Sequence, residues 1–208
     1  MKPQFVVFEG LDGSGTSTQS NLLDQAWKAS GRKVMLTCEP SAGPVGNLIR
    51  TAFKGRVQFQ ANAQEFDKQM AYLFAADRFD HLYNDVDGVV KAIESGISVI
   101  STRYYFSSYA YHCTQESDWD LVRRLNQDFP LPDLLVYLRN PVTESLRRLE
   151  QRTTLDSYEK ADKLTIVAKN YERILAEYTG RKLILDATQP PGKIHEAIYR
   201  ELELSGDC

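Results

Sequence analysis

Short apolar runs alternate with longer amphipathic stretches along the chain. Residues 5–9 (FVVFE), 34–37 (VMLT), 97–101 (ISVIS), 134–138 (LLVYL) and 182–186 (KLILD) have the length of strands. ISVIS and LLVYL are the compact apolar runs expected where a parallel sheet is covered on both faces. Helices are expected between them. The first spans residues 17–30, buries Leu22, Leu23 and Ala26, and stops at Gly31. A long helical region over 63–94 divides in two, because Asn84-Asp85 and Asp87-Gly88 interrupt it, and Gly96 ends it. Further helices are expected over 141–152 and 165–179, and a closing helix carries Ile194, Ile198 and Leu202 on one face. Five strands separated by helices predict an α/β fold, a doubly wound five-stranded parallel sheet with right-handed crossovers. No repeat or low-complexity linker divides residues 1–208, which read as one domain. Ligands are then expected beyond the carboxyl ends of the strands.

The first strand runs into FVVFEGLDGSGTSTQ, a glycine-rich turn that opens a helix. Residues 10–17, G-L-D-G-S-G-T-S, follow the phosphate-loop pattern G-x-x-x-x-G-K-[ST] except that Thr16 stands at the lysine. Gly10, Gly13 and Gly15 let backbone N–H groups turn inward around phosphate oxygens, and the helix that follows adds its positive end. Asp12, Ser14, Thr16 and Thr18 complete the expected nucleotide contacts, and Ser17 stands where a magnesium ligand belongs. The cradle does not need the lysine. What is missing is a mobile charge on the outer phosphates.

Composition narrows the class. A net charge of −3 provides no broad basic field, so nucleic acid is not an expected partner. Cys38, Cys113 and Cys208 are widely spaced with no C-x-x-C pair, which points to a reducing compartment and no structural metal. The apolar start MKPQFVVF is too short for a signal peptide or a membrane span. A cytoplasmic enzyme is the expectation.

Two further strand ends open on the same edge. One gives Glu39-Pro40 and then SAGPVGNLIR, including Arg50, and the other gives Thr102-Arg103-Tyr104-Tyr105. Arg103, directly after a buried strand, is placed to hold an anion by its planar fork, although a surface ion pair is the ordinary alternative. In LFAADRFDH, Phe74 and Arg78 are four apart and share a helical face. An aromatic ring beside a guanidinium can sandwich a planar base, while a core phenylalanine with a solvated arginine is the commoner arrangement.

Together these segments resemble the thymidylate kinase family almost end to end. FEGLDGSG-TSTQ is similar to its phosphate loop, CEPSAGPVGNLIR to its T-R-E-P-G-G-x-x-G-x-x-I-R segment, and LFAADRFDHL to its L-F-x-A-x-R helix. TRYYFSSYAYH is similar to D-R-Y-x-x-S-x-x-A-Y-Q, and PDLLVYL and LDSYE correspond to the fourth strand and the lid. The resemblance implies a P-loop NTPase fold with a mobile lid over about residues 147–163, and γ-phosphate transfer from ATP to dTMP with Mg2+. It also implies a homodimer on the long central helices. By the same resemblance, Phe74 stacks on the base, Arg78 contacts the substrate, and Arg103 holds the acceptor phosphate. Tyr111 lies at the base, Asp12 near the sugar, and Glu39, Arg50 and Ser107 belong to the acceptor site.

Three departures stand out: Thr16 for the loop lysine, Thr102 for the acid before Arg103, and Cys38 for the arginine before Glu39-Pro40. Each removes charge that phosphoryl transfer uses. The segment LRRLEQRTTLDSYEKADK holds replacements in Arg147, Arg148, Arg152, Lys160 and Lys163, and Arg152 joins Arg103 and Asp12 as the catalytic candidates. Two other readings stay open here. One is a kinase for dUMP or a modified pyrimidine monophosphate. The other is a nucleotide-binding sensor or scaffold that transfers nothing.

Overall fold

The computed structural model describes residues 2–57, 62–150 and 161–204. Five parallel strands, β1 (Phe5–Gly10), β2 (Val34–Cys38), β3 (Ser98–Thr102), β4 (Leu134–Arg139) and β5 (Lys182–Asp186), form one sheet in the order β2-β3-β1-β4-β5. Five strand segments were expected, and five are found among the described residues. β3 is displaced by one residue from the expected 97–101, and β1, β2 and β4 each extend one residue further.

Alternation within the central strands sorts their side chains into two layers. Phe5 and Val7 of β1, Val99 of β3, and Leu135 and Tyr137 of β4 enter one core. Val6, Phe8, Ile100, Leu134, Val136 and Leu138 enter the other. The first core is covered by α5 (Tyr105–His112), α6 (Glu116–Asn126) and α8 (Ala161–Glu177). The second is covered by α1 (Thr16–Ala29) and α9 (Pro191–Glu203), through Leu23, Trp27, Ile194, Ile198 and Leu202. A doubly wound sheet follows because both faces of β1 must be shielded. The edge strands β2 and β5 are only partly buried.

Between α2 (Pro44–Phe53) and α3 (Ala63–Tyr83) lies a smaller cluster of Ile49, Ala52, Met70 and Phe74. α3 ends where the sequence indicated. Asn84 Oδ1 accepts from the backbone N–H of Val86 and Asp87, and α4 (Val89–Glu94) begins after this turn. α7 (Val142–Leu149) follows β4.

Three helices escaped the pattern analysis. α2 carries Pro44 in its first turn and buries only Gly46, Ile49 and Ala52. α5 is buried nearly all round, so YFSSYAYH shows no apolar stripe against a polar face. α6 did carry a signal, a capping box between Gln115 and Asp118 ahead of Trp119 and Val122. In α1 the buried apolar pair is Leu23 and Trp27, with Leu22 and Ala26 only partly covered.

The strand order places β1 at the reversal point, with β3 on one side and β4 on the other. Ligand crevices form at such points because the flanking loops diverge there. Arg103 N–H donates to Phe8 carbonyl at 2.8 Å, and Glu39 N–H donates to Thr102 carbonyl at 2.9 Å. These bonds hold the ends of β1, β3 and β2 side by side. Among the described residues, no helix is long and apolar enough to cross a membrane.

Candidate active site

β1 delivers the chain into the glycine loop at Gly10. A Cβ there would stand 2.8 Å from Leu138 carbonyl oxygen and 2.5 Å from Ser14 Oγ, so the loop can pass this close to β4 only as glycine. Ser14 N–H closes the turn onto Leu11 carbonyl at 3.0 Å, and α1 begins at Thr16 behind Gly15, which has φ 99°. Gly13, Gly15, Thr16, Ser17 and Thr18 line a cavity of about 340 Å³, while Gly10 and Ser14 support the turn from outside that lining. Asp12, Glu39, Thr102, Arg103 and Arg148 complete the wall.

Arg148 comes from α7. Its guanidinium donates to Glu144 at 2.7 Å, to Gly13 carbonyl at 3.1 Å and to Ala187 carbonyl at 3.1 Å. It therefore bridges the phosphate loop and the turn after β5, a role the sequence does not separate from its basic neighbours. Arg147 is occupied by Glu144, and Lys163 pairs with Asp67 at 2.6 Å. Arg152 and Lys160, with most of the expected lid, lie outside the described residues.

A second cavity, of about 330 Å³, adjoins the first. Asp12, Glu39 and Arg103 line both. The second also takes in Pro40, Arg50, Phe53, Lys54 and Phe74, with Ser107, Ser108, Tyr111 and His112 from α5. Arg103 stands at the junction with φ 70°. Its guanidinium forms a close ion pair with Asp12 and donates to Ser107 Oγ at 2.9 Å and to Tyr111 Oη at 3.3 Å. Tyr111 Oη donates to the other Asp12 oxygen at 2.8 Å. Burial opposes the arginine's charge, but Asp12, Tyr111, Tyr171 and Glu9 more than offset it and hold Arg103 charged well above its ordinary range. Burial raises the Tyr111 phenol against the pull of Arg103, so it remains a neutral donor.

Phe74 lies in the cavity wall, with its ring 6.2 Å from Phe53 and 5.2 Å from His112. Burial, helped by the charges of Lys163 and Arg78, lowers the His112 pKa to about 3 and keeps its imidazole neutral. Arg50 donates to the carbonyls of Ser41 and Pro40 and contacts Cys38 Sγ at 3.7 Å, so it braces the loop after β2 as well as facing the cavity.

Arg78 differs from its sequence expectation. It does not line the cavity, and its side chain is wholly buried. Nε and Nη2 donate to Glu39 Oε2 at 2.9 and 2.6 Å, while Nη1 donates to Asn126 and Nη2 also to Ser108 Oγ at 3.3 Å. The helical spacing from Phe74 is as expected, but Glu39 takes the guanidinium into the interior. The sequence also missed Glu9 and Tyr171. Glu9 had a signal, an acid ending an apolar strand. Tyr171 had none, because its partner Glu9 is 162 positions away.

Ser17 lines the same cavity as the loop and carries the hydroxyl donor that magnesium takes alongside phosphate oxygens. Asp12 and Glu39 line it with carboxylates engaged by Arg103, Tyr111 and Arg78. The cradle and its oxygen set fit a magnesium nucleotide.

Comparison with known proteins agrees with this geometry. The family described as "Thymidylate kinase" matches residues 8–198. A "Probable thymidylate kinase" of Thermococcus gammatolerans is 38% identical, covering 96% of this chain and 95% of that protein. Another of that name from Pyrococcus horikoshii is 34% identical over 95% of each.

The buried pair generates a stability prediction. Arg78→Met leaves Glu39 without its cation, and urea unfolding is expected to show a loss of about 3–5 kcal/mol. A loss under about 1 kcal/mol would mean that the pair does not support the fold.

Proposed function

The chain belongs to the thymidylate kinase family, and we propose that its two joined cavities transfer the γ-phosphate of ATP to dTMP, giving dTDP and ADP. The observation that carries this reading is the shared wall. Asp12, Glu39 and Arg103 belong to both cavities, so donor and acceptor phosphates meet where those residues converge.

The glycine loop holds the donor phosphates through backbone N–H groups, which makes the cradle independent of residue 16. Ser17 would hold magnesium, whose charge would offset the negative charge developing on the donor phosphates. Arg148 lies on the donor side between the loop and the turn after β5. On the acceptor side Phe74 offers its face to the pyrimidine. Arg103 presents a planar fork to the acceptor phosphate, whose oxygen forms the new bond to phosphorus as the bond to the ADP oxygen breaks. Such transfers depend on positioning and charge compensation, and the protein need supply no covalent intermediate. Arg78 enters this scheme indirectly, by fixing Glu39 and Ser108 in the cavity wall. Arg152 remains the proposed lid charge. One domain with a closing lid would keep water from the donor.

We further propose a homodimer. Tyr72, Ala76, Phe79 and Tyr83 follow at helical spacing along the outer face of α3, and Tyr72, Phe79 and Tyr83 are 49%, 62% and 41% exposed. A contiguous apolar stripe of this kind is costly to leave in water. The cysteine usage supports a cytoplasmic location.

Release of ADP in a coupled assay with ATP, magnesium and dTMP tests the reaction; no transfer to dTMP would sink it. Phe74→Ala is expected to weaken dTMP binding by about 1–3 kcal/mol with little change for ATP. Unchanged dTMP affinity with a lowered melting temperature would make Phe74 a core residue only. Arg103→Lys keeps the charge but loses the fork, and turnover is expected to fall severely. Normal steady-state kinetics would remove Arg103 from the site. For the dimer, sedimentation of Phe79→Lys is expected to give a monomer where the parent chain gives a dimer. An unchanged mass would refute the stripe as the contact.

A further inference from the structure

We propose that Glu9 is a positioning residue, whose carboxylate sets the hydrogen-bond polarity of Ser107 and Tyr171 so that both turn lone pairs toward Arg103. The inference rests on the reading of Arg103 as the acceptor-phosphate group. It begins from an anomaly in β1, whose six residues are all buried and whose only ionisable member is Glu9. A carboxylate is excluded from such a position unless its oxygens are satisfied.

The two oxygens do different work. Oε1 accepts from the backbone N–H of Tyr104 at 2.8 Å and of Ser107 at 3.2 Å. These groups open α5, where no cap comes from the Tyr104 side chain, so β1 supplies the cap from outside the helix. Oε2 accepts from Ser107 Oγ at 2.7 Å and from Tyr171 Oη at 2.8 Å. A carboxylate only accepts, so both hydroxyl protons are committed to it. The lone pairs of those same oxygens are left to receive Arg103 Nη1, at 2.9 Å from Ser107 and 3.4 Å from Tyr171. Glu9 itself stands 4.0 Å from Nη1, at the limit of an ion pair. Its hold on the arginine runs chiefly through the two hydroxyls.

This arrangement makes the acid irreplaceable by its own amide. In Glu9→Gln the carbonyl must still face the two backbone N–H groups of α5. The amide NH2 then faces Ser107 and Tyr171 as a donor, their protons swing toward Arg103, and donor meets donor. Because Gly10 follows Glu9 directly, the residue that orients the acceptor arginine also anchors the start of the phosphate loop.

The test measures the affinity gained from the acceptor phosphate alone, by titration calorimetry with dTMP and with thymidine. The parent chain is expected to prefer dTMP by roughly a hundredfold or more, the scale of two charge-assisted hydrogen bonds. A parent with no preference would refute the role of Arg103 itself, which is a separate failure. In Glu9→Gln the preference is expected to shrink to about fivefold or less, while thymidine affinity changes less than about threefold. Loss of both affinities in parallel would indicate general loosening and overturn the proposal. An unchanged or increased preference would also overturn it, since it would show that the carboxylate merely dilutes the arginine's charge. Tyr171→Phe keeps the ring and removes one of the two hydroxyls, so it carries the test if Glu9→Gln does not fold. A partial fall in the preference at a melting temperature near the parent's is expected, and no fall counts against the mechanism.

Discussion

An ionised or ionisable group can stay inside a protein only with partners that replace water, and this molecule satisfies that demand at the end of its most buried strand. β1 is enclosed by β3, β4 and helices on both faces, yet its penultimate residue is Glu9. Burial raises the pKa of that carboxyl against the opposing effects of Arg103, Ser107, Tyr171 and the Tyr104 N–H. The partners come from β3's exit, from α5 and from α8, so meeting the needs of one acid gathers elements that wall the second cavity. The next residue opens the phosphate loop. Fold and site are thus tied at one point.

The two arginines near this point show how exposure separates related chemistry. Arg78 and Arg103 each meet an acid at close range. Arg78 is sealed beneath Glu39, with Tyr104 and Phe129 rings 5.5 and 5.7 Å away, and its hydrogen bonds are spent on the protein. Arg103 keeps 19% of its side-chain surface and stands in the wall of both cavities. A guanidinium in the first setting stabilises geometry, because separating it from its acid would strand two charges. In the second setting, exchange of one anionic partner for another costs far less.

Much of this was legible along the chain because it depends on neighbours in sequence. The turn around residues 10–17 needs glycine for steric reasons, and the helix behind it follows immediately. Arg103 is set by one strand exit, whereas Tyr111 was placed by family resemblance and not by periodicity. Phe74 could be placed on its helix from spacing alone. The breaks in residues 63–94 were visible because Asn84 makes its own local turn. α5 was not visible, since a helix covered on nearly every side loses the contrast that periodicity detects.

The sequence by itself determined the alternation of strands and helices, the glycine turn between β1 and α1 and the residue types at the strand ends. These follow from local sterics and from a period of burial repeated every few residues. Tertiary structure alone decided which cation serves which anion. Glu39 meets Arg78 across 39 positions, Glu9 meets Tyr171 across 162, and Arg148 reaches Gly13 across 135. Charge has no period along a chain, and in a low-dielectric interior its effect is governed by separation in space. Only packing brings those charges together.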